Sequence, residues 1–588
     1  MMTEKEKDTV HHPTLREEVD IGLAGESAEY AQAPRLTRTT NLKDMNPLDI
    51  TASTEKSEVD GKQQQQPKRG QSGVLTGARL YLVFVALMLC VFMFALDQSI
   101  VSTAIPVIMS DFNAFDQVAW IITGYFLTQC GLILLVGQVL TILKAKWMLL
   151  GAIFFFELGS LICGVAKDMD ILIGGRAIQG IGASGCLCLF LPSLPLSPES
   201  TNEQPLWLLL ALSLSYPEGE YPDLTRESYS CLTPCRWCFY INLPFGGFAA
   251  TAVVFLLPAQ DPEHADAAPP DRTVLGKLRR LDWLGTGLIF CAITCLLLAL
   301  AWGGNQYAWN NWRIPFLFTL GGLLVIAFGI WQWRYDKYAL IPLSILKNRT
   351  VLACSGAIFF FMLAMLGGTY QLPLFYQAGR GHSPEKSGVD IIAFMLATCV
   401  AILISGGLTT KFGRYYPFLL IGPPFAAVGF GLLYTIDVNT SNAKIIGYQI
   451  LAGFGIGLSF QNILVAIQAE YHDRPSLLPQ ATGVMSFFQL TGAALGVGII
   501  NTVQSVYLNT EIKRLAPEVD FNLVRQSVSA IYTLPADQQS AVIEAYVISI
   551  TNSLVPIIVA VGLAMVIGAF IRNHNLLKKG GAASAHMA

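Results

Sequence analysis

Of 588 residues, 53% are hydrophobic and only 13% charged, with a formal net charge of −3. Soluble globular, disordered and fibrous chains do not combine these values, and without a basic domain nucleic acid is excluded as a main partner. The charge is also uneven: the first 70 residues hold 23 of the 79 Lys, Arg, Asp and Glu side chains, so the rest is more apolar than the average. At about 20 residues per spanning helix, half of such a chain suffices for about 14 spans. An all-α, polytopic membrane protein is the expectation.

Residues 1–76 are polar and include the run Gln63 to Gln66, which predicts a disordered cytoplasmic tail. The tail lacks the apolar core and cleavage site of a signal peptide, so the first span is expected to act as its own insertion signal. Apolar stretches of spanning length follow at 80–100, 118–140, 147–166, 171–191, 237–257, 282–301, 314–334, 351–373, 387–407, 416–435, 445–466, 481–502 and 546–570. Basic residues mark alternate connections, among them Lys144 and Lys146, Arg279 and Arg280, Arg334 and Lys337, Lys411 and Arg414, and Lys578 and Lys579. By the positive-inside rule both termini are cytoplasmic, which demands an even number of spans. Thirteen are readable, so one is missing.

The gap lies between Gly185 and Arg236. Its only apolar run, Leu206 to Leu214, is half the length needed and is flanked by Pro192, Pro195, Pro198, Pro205, Pro217, Pro222 and Pro234. Most of the twelve cysteines sit in apolar runs (Cys90, Cys130, Cys163, Cys291, Cys295, Cys354, Cys399) and read as small hydrophobes. Cys231, Cys235 and Cys238 match no zinc spacing, so no metal is expected.

The first span ends Ala95-Leu96-Asp97-Gln98-Ser99-Ile100-Val101-Ser102-Thr103-Ala104-Ile105-Pro106, which resembles the LDxTIVxxALP signature of fourteen-spanner drug–proton antiporters in the major facilitator superfamily. Gly175-Arg176-Ala177-Ile178-Gln179-Gly180-Ile181-Gly182-Ala183 resembles the Arg-bearing motif of their fourth span, and Arg236 to Gly247 the opening of their sixth. Glu157 to Ala166, Tyr370 to Gln377 and Leu451 to Gly457 are similar to spans of the fungal toxin and multidrug efflux pumps. The resemblance covers 78–185 and 236–575. It implies a first half at 77–260, a cytoplasmic linker at 261–281 and two additional spans at 282–334. A second half follows at 350–572, with an extracytoplasmic loop at 503–545, and a cytoplasmic tail at 573–588.

Two departures stand out. The loop after the second span normally reads GxLxDRxGRK, whose acid and bases latch helix ends in one state. Here Gly137 to Lys146 carries Thr141 at the acid position and Ala145 at an Arg position. Its counterpart in the second half, with Gly407, Lys411, Gly413 and Arg414, is better kept, as an internal repeat implies. The second departure is 186–235, where the antiporters carry a GPxxGG fifth span. Similar length with alien composition suggests a translated intron or a local frame change.

Ionisable groups inside a membrane are functional candidates by default. The candidates for proton coupling are Arg176, Asp97 and Glu157. For Arg176 the alternative is a helix-end anchor, for Asp97 backbone bonding near Pro106, and for Glu157 a satisfied interhelical hydrogen bond. Candidate substrate contacts are Gln129, Tyr125, Gln371, Tyr370, Gln461, Asn462 and Gln489, amides and aromatics within apolar spans, each of which also reads as packing. Trp302, Trp309 and Trp312 read as an interfacial belt.

The resemblance implies a proton-coupled exporter of an amphipathic small molecule. It would be a monomer in the lipid bilayer, in the plasma membrane rather than the vacuolar one, with no enzymatic activity and no cofactor. The absence of a GxxxxGK[ST] phosphate loop argues against a primary pump. A nutrient-uptake symporter and a non-transporting or mis-spliced copy of an efflux pump stay open.

Overall fold

In a lipid environment each backbone N–H and C=O must find its partner within its own segment, so long apolar runs fold as helices. The computed structural model describes residues 118–140, 143–193, 239–257, 281–304, 307–335, 339–474, 477–519 and 528–577, with Leu89, Cys90, Met93, Asp97, Arg236, Phe521 and Val524. The expectations for 1–76, for most of 80–100, for 194–235, for 261–280 and for 578–588 lie outside these residues.

The helices run in the order α1 (Val118–Val139), α2 (Ala145–Val165), α3 (Met169–Ser193), α4 (Asn242–Leu256), α5 (Trp283–Trp302), α6 (Arg313–Tyr335) and α7 (Arg349–Arg380). They continue as α8 (Ile392–Phe412), α9 (Tyr416–Tyr434), α10 (Asn442–Glu470), α11 (Leu478–Leu515), α12 (Ala536–Ser553) and α13 (Val555–Gly568). Among the described residues nine helices are long and apolar enough to cross a membrane, and there is no strand beyond one isolated bridge between Gly303 and Tyr307. The protein is a multi-pass, helical membrane protein.

Helix ends follow local chemistry. Asp282 caps α5 by accepting from the Gly285 N–H at 2.7 Å, and Asn348 caps α7 by accepting from that of Thr350 at 2.9 Å. Gly381 and Gly413 close α7 and α8 in the left-handed conformation, with φ of 66° and 68°. Two boundaries differ from the sequence expectation. The 503–545 connection is largely helical, because α11 continues to Leu515 and α12 starts at Ala536. The last span is divided at Leu554, where Pro556 in the first turn of α13 withholds an N–H.

In the first half α3 packs against α1 and α2, and α4 lies on α2. In the second half α10 packs against α8 and α9, and α7 against α11 and α13. Across the halves α1 meets α11, and α3 also reaches α11. α5 packs on α1, α11 and α6. Large apolar side chains face outward, Phe255 at 76% and Trp333 at 69% exposure, as expected where the solvent is lipid. Trp312 is likewise exposed, and so is Trp309, one side of which lies over the Gly303–Gly304 turn, where Gly304 has φ 72°.

Candidate functional site

Arg176 lies two turns inside α3, and Gln179, three residues on, shares its face. Gly180 brings α3 close to α1, since a methyl there would overlap the Tyr125 carbonyl and the Thr128 hydroxyl. That approach sets the Arg176 guanidinium 4.4 Å above the Tyr125 ring centre, while its Nε donates to the Ile121 carbonyl at 3.3 Å.

Arg176 Nη1 donates to Asp97 Oδ2 at 2.7 Å and to Gln179 Oε1 at 2.7 Å, and Gln179 Nε2 donates to Asp97 Oδ1 at 2.7 Å. The three side chains close a ring, 2% exposed at Arg176 and 0% at Asp97 and Gln179. Asp97 thus accepts at both oxygens, and Arg176 is engaged in the helix interior, not as an anchor at a helix end. A buried pair of this kind depends on both partners, because removing either strands a desolvated charge.

The ring extends outward. Gln179 Nε2 also reaches Ser160 Oγ of α2 at 3.1 Å, and Ser160 Oγ accepts from Asn242 Nδ2 of α4 at 2.9 Å. One turn before Ser160 stands Glu157, whose carboxylate lies against Gly246 so closely that a methyl at 246 would overlap it. Both Glu157 oxygens are buried without a hydrogen-bond partner. The satisfied interhelical bond open to Glu157 is therefore not formed; α4 offers it a backbone glycine and no donor.

The candidate substrate residues divide. Gln129, one turn along α1 from Tyr125, is fully buried, and neither end of its amide has a partner. Gln371 approaches Gln504 Oε1 at 3.5 Å through Nε2 and leaves its own Oε1 unmatched, and Gln461 has an unmatched Nε2. Tyr370 and Gln489 are half-buried. Asn462 is different: it donates to the Leu458 carbonyl at 2.7 Å and accepts from Thr409 Oγ1 at 2.8 Å, so its amide ties α10 to α8. Buried amides left unmatched are costly and are the groups a polar ligand can satisfy.

The latch candidates also divide. Gly137 is buried in α1, and Lys146 donates through Nζ to the Val254 carbonyl at 2.7 Å, capping the end of α4. In the second half Gly407 is half-buried and Lys411 and Arg414 are exposed. Gly413 accepts from the Leu576 N–H at 2.9 Å, and the segment after α13 is fixed there. Arg572 and His574 reach the two oxygens of Glu470 at 3.2 and 2.7 Å.

The sequence profile of the Major Facilitator Superfamily matches residues 87–194 and 228–497, well over half of the chain. The chain belongs to the Major Facilitator Superfamily. The break at 195–227 lies inside the 186–235 segment of alien composition. Curated relatives of this facilitator include the efflux pump aflT of Aspergillus parasiticus, 36% identical over 456 residues, which cover 76% of this chain and 87% of the relative. The aspyridones efflux protein of Neocamarosporium betae is 37% identical, covering 76% and 78%. The efflux pump aunC of Aspergillus niger is 33% identical, covering 87% and 91%.

Three residues of the facilitator's polar network carry no role in the sequence reading: Gln179, Ser160 and Asn242. The i, i+3 spacing of Arg176 and Gln179 was the available signal. Ser160 and Asn242 join only because α4 folds back on α2, a tertiary contact that spacing does not show.

Proposed function

We propose that the chain is a proton-coupled exporter of an amphipathic small molecule, working by alternating access between its two halves. The observation that carries this is the closed Asp97–Arg176–Gln179 ring, buried where three helices of the first half and the first span meet. Asp97 is the proton acceptor. While it is ionised the ring is complete; when it takes a proton, the charge holding Arg176 is gone and the helices it joins are free to move. Glu157, buried with no donor, is a second site at which a proton removes an uncompensated charge.

Gln129, Tyr125, Gln371, Tyr370, Gln461 and Gln489 supply amide and aromatic contacts to the exported molecule. The names of the fungal relatives, efflux pumps and an aspyridones efflux protein, support export as the direction. The protein is read as a monomer of the plasma membrane.

The test uses the full chain in proteoliposomes with an acidic lumen and ethidium in the neutral bath. Exchange of protons for dye draws ethidium inward against its gradient, and a protonophore abolishes the uptake. Ethidium leaving preloaded vesicles together with protons would instead indicate a symporter.

A further inference from the structure

The additional helices α5 and α6 lie between the halves in the sequence, and their polar groups run in series from one half to the other. At the end of α1, Gln138 Oε1 accepts from the Asp282 N–H at 3.3 Å. Asp282 Oδ2 accepts from Gln332 Nε2, near the end of α6, at 2.7 Å. Gln332 Oε1 accepts from the Ile341 N–H at 3.1 Å. Ile341 belongs to the segment leading into α7, where Ala339, Leu340 and Ile345 are all buried. Gln138, Asp282 and Gln332 are themselves 6%, 1% and 3% exposed, so water does not replace these bonds.

Asp282 is held further by Trp331 Nε1 at 2.8 Å and by its cap to Gly285. One end of α5 is thus fixed by directional bonds. Elsewhere α5 makes apolar contact with both halves: Phe290 fills the space beside Gly131 of α1, and Leu300 packs on Gly498 of α11. Gln138 follows Gly137 in the last turn of α1, just before the loop whose expected acid is replaced by Thr141. Asp282 brings a carboxylate to that same end of α1 from a different helix.

We propose that Gln138, Asp282, Gln332 and the Ile341 N–H form a clasp between the two halves, and that making and breaking it sets the balance between the conformations of the transport cycle. α5 and α6 are then part of the moving machinery. Packed interfaces switch between discrete arrangements, so one directional chain is enough to bias them. The clasp goes beyond proton coupling and does not depend on which ion drives transport.

The test needs no substrate. The full chain in nanodiscs carries spin-labelled unnatural residues at 145 and 412, two exposed positions at the ends of α2 and α8, and the interspin distance distribution is measured. Gln138→Met and Gln332→Met cut the chain on different helices while leaving the Asp282 cap intact. Gln138→Met removes one bond of the chain and Gln332→Met two, but either cut opens the same series connection, so each is expected to change the ratio of distance populations about fivefold, the worth of one ordinary hydrogen bond. Because the bonds are in series, the double variant should match either single one; independent effects would multiply to about 25-fold. Trp331→Phe, off the chain, should keep the parent ratio. Unchanged single variants, or a multiplicative double variant, overturn the proposal.

Discussion

Gln179 donates to Asp97 at 2.7 Å with one end of its amide and accepts from Arg176 at 2.7 Å with the other. An amide is suited to this, because its donor and acceptor match a carboxylate and a guanidinium at once. Gln179→Met keeps the volume and loses both of these bonds and the one to Ser160, leaving Asp97 Oδ1 without its donor. We expect a stability loss of about 1–3 kcal/mol by thermal unfolding in detergent.

Arg176→Ala strands Asp97 in the interior. The expected cost is about 3–5 kcal/mol, the range for breaking a buried pair. Arg176→Ala combined with Asp97→Asn should recover part of it, because no unpaired charge is left. Urea or thermal unfolding of the parent and the two variants checks this; a double variant no more stable than Arg176→Ala alone would show that the ion pair does not govern the loss.

Glu157→Gln should behave in the opposite way to the Arg176 change. The carboxylate has no partner to lose, so stability should stay within about 1 kcal/mol of the parent or rise. Transport should lose steepness in its pH dependence, which a titration of ethidium uptake against lumen pH would show.

Gly413, the latch candidate at the end of α8, makes a separate prediction. Gly413 has φ 68° and faces Asn575 and Leu577 closely. Gly413→Ala adds a left-handed penalty of about 1–2 kcal/mol and pushes the C-terminal segment off α8. Limited proteolysis should cleave within 570–577 faster than in the parent.

Asp437, in the connection between α9 and α10, has its carboxyl held below the ordinary range by the Thr440 hydroxyl, which donates to Oδ1 at 2.8 Å. A depressed carboxyl contributes stability that is present above its ordinary value and lost as pH falls through the lowered one. The 437–440 turn should therefore loosen only in acid below the usual carboxylate range. Amide exchange at Asn439, whose N–H donates to Asp437 at 2.9 Å, reports it.

The family, the helical class and most spans were legible because spanning helices need long apolar runs and little else. Arg176 and Asp97 were legible because charge inside such runs is rare. The pairing was not, since 79 residues separate them, and neither was the branch through Gln179 to Ser160 and Asn242. Asn462 shows the converse: an amide in an apolar span suggests a ligand, but Thr409 on the neighbouring helix already satisfies it. Asp282 escaped notice because it stands at a helix start, where an acid is an ordinary cap. The 186–235 segment was conspicuous for its prolines, and the superfamily profile breaks within it. Sequencing the transcript across those codons should reveal an intron or frame change; a message encoding the same residues would discard that explanation.

The central claim, that Asp97 couples proton movement to export, is tested most directly by comparing two modes of ethidium movement in the same proteoliposomes, with the parent and Asp97→Asn. Gradient-driven uptake needs the proton step, whereas exchange of labelled for unlabelled dye at equal pH does not. The account predicts that Asp97→Asn retains dye exchange and loses stimulation by the proton gradient. Stimulation equal to that of the parent would contradict it.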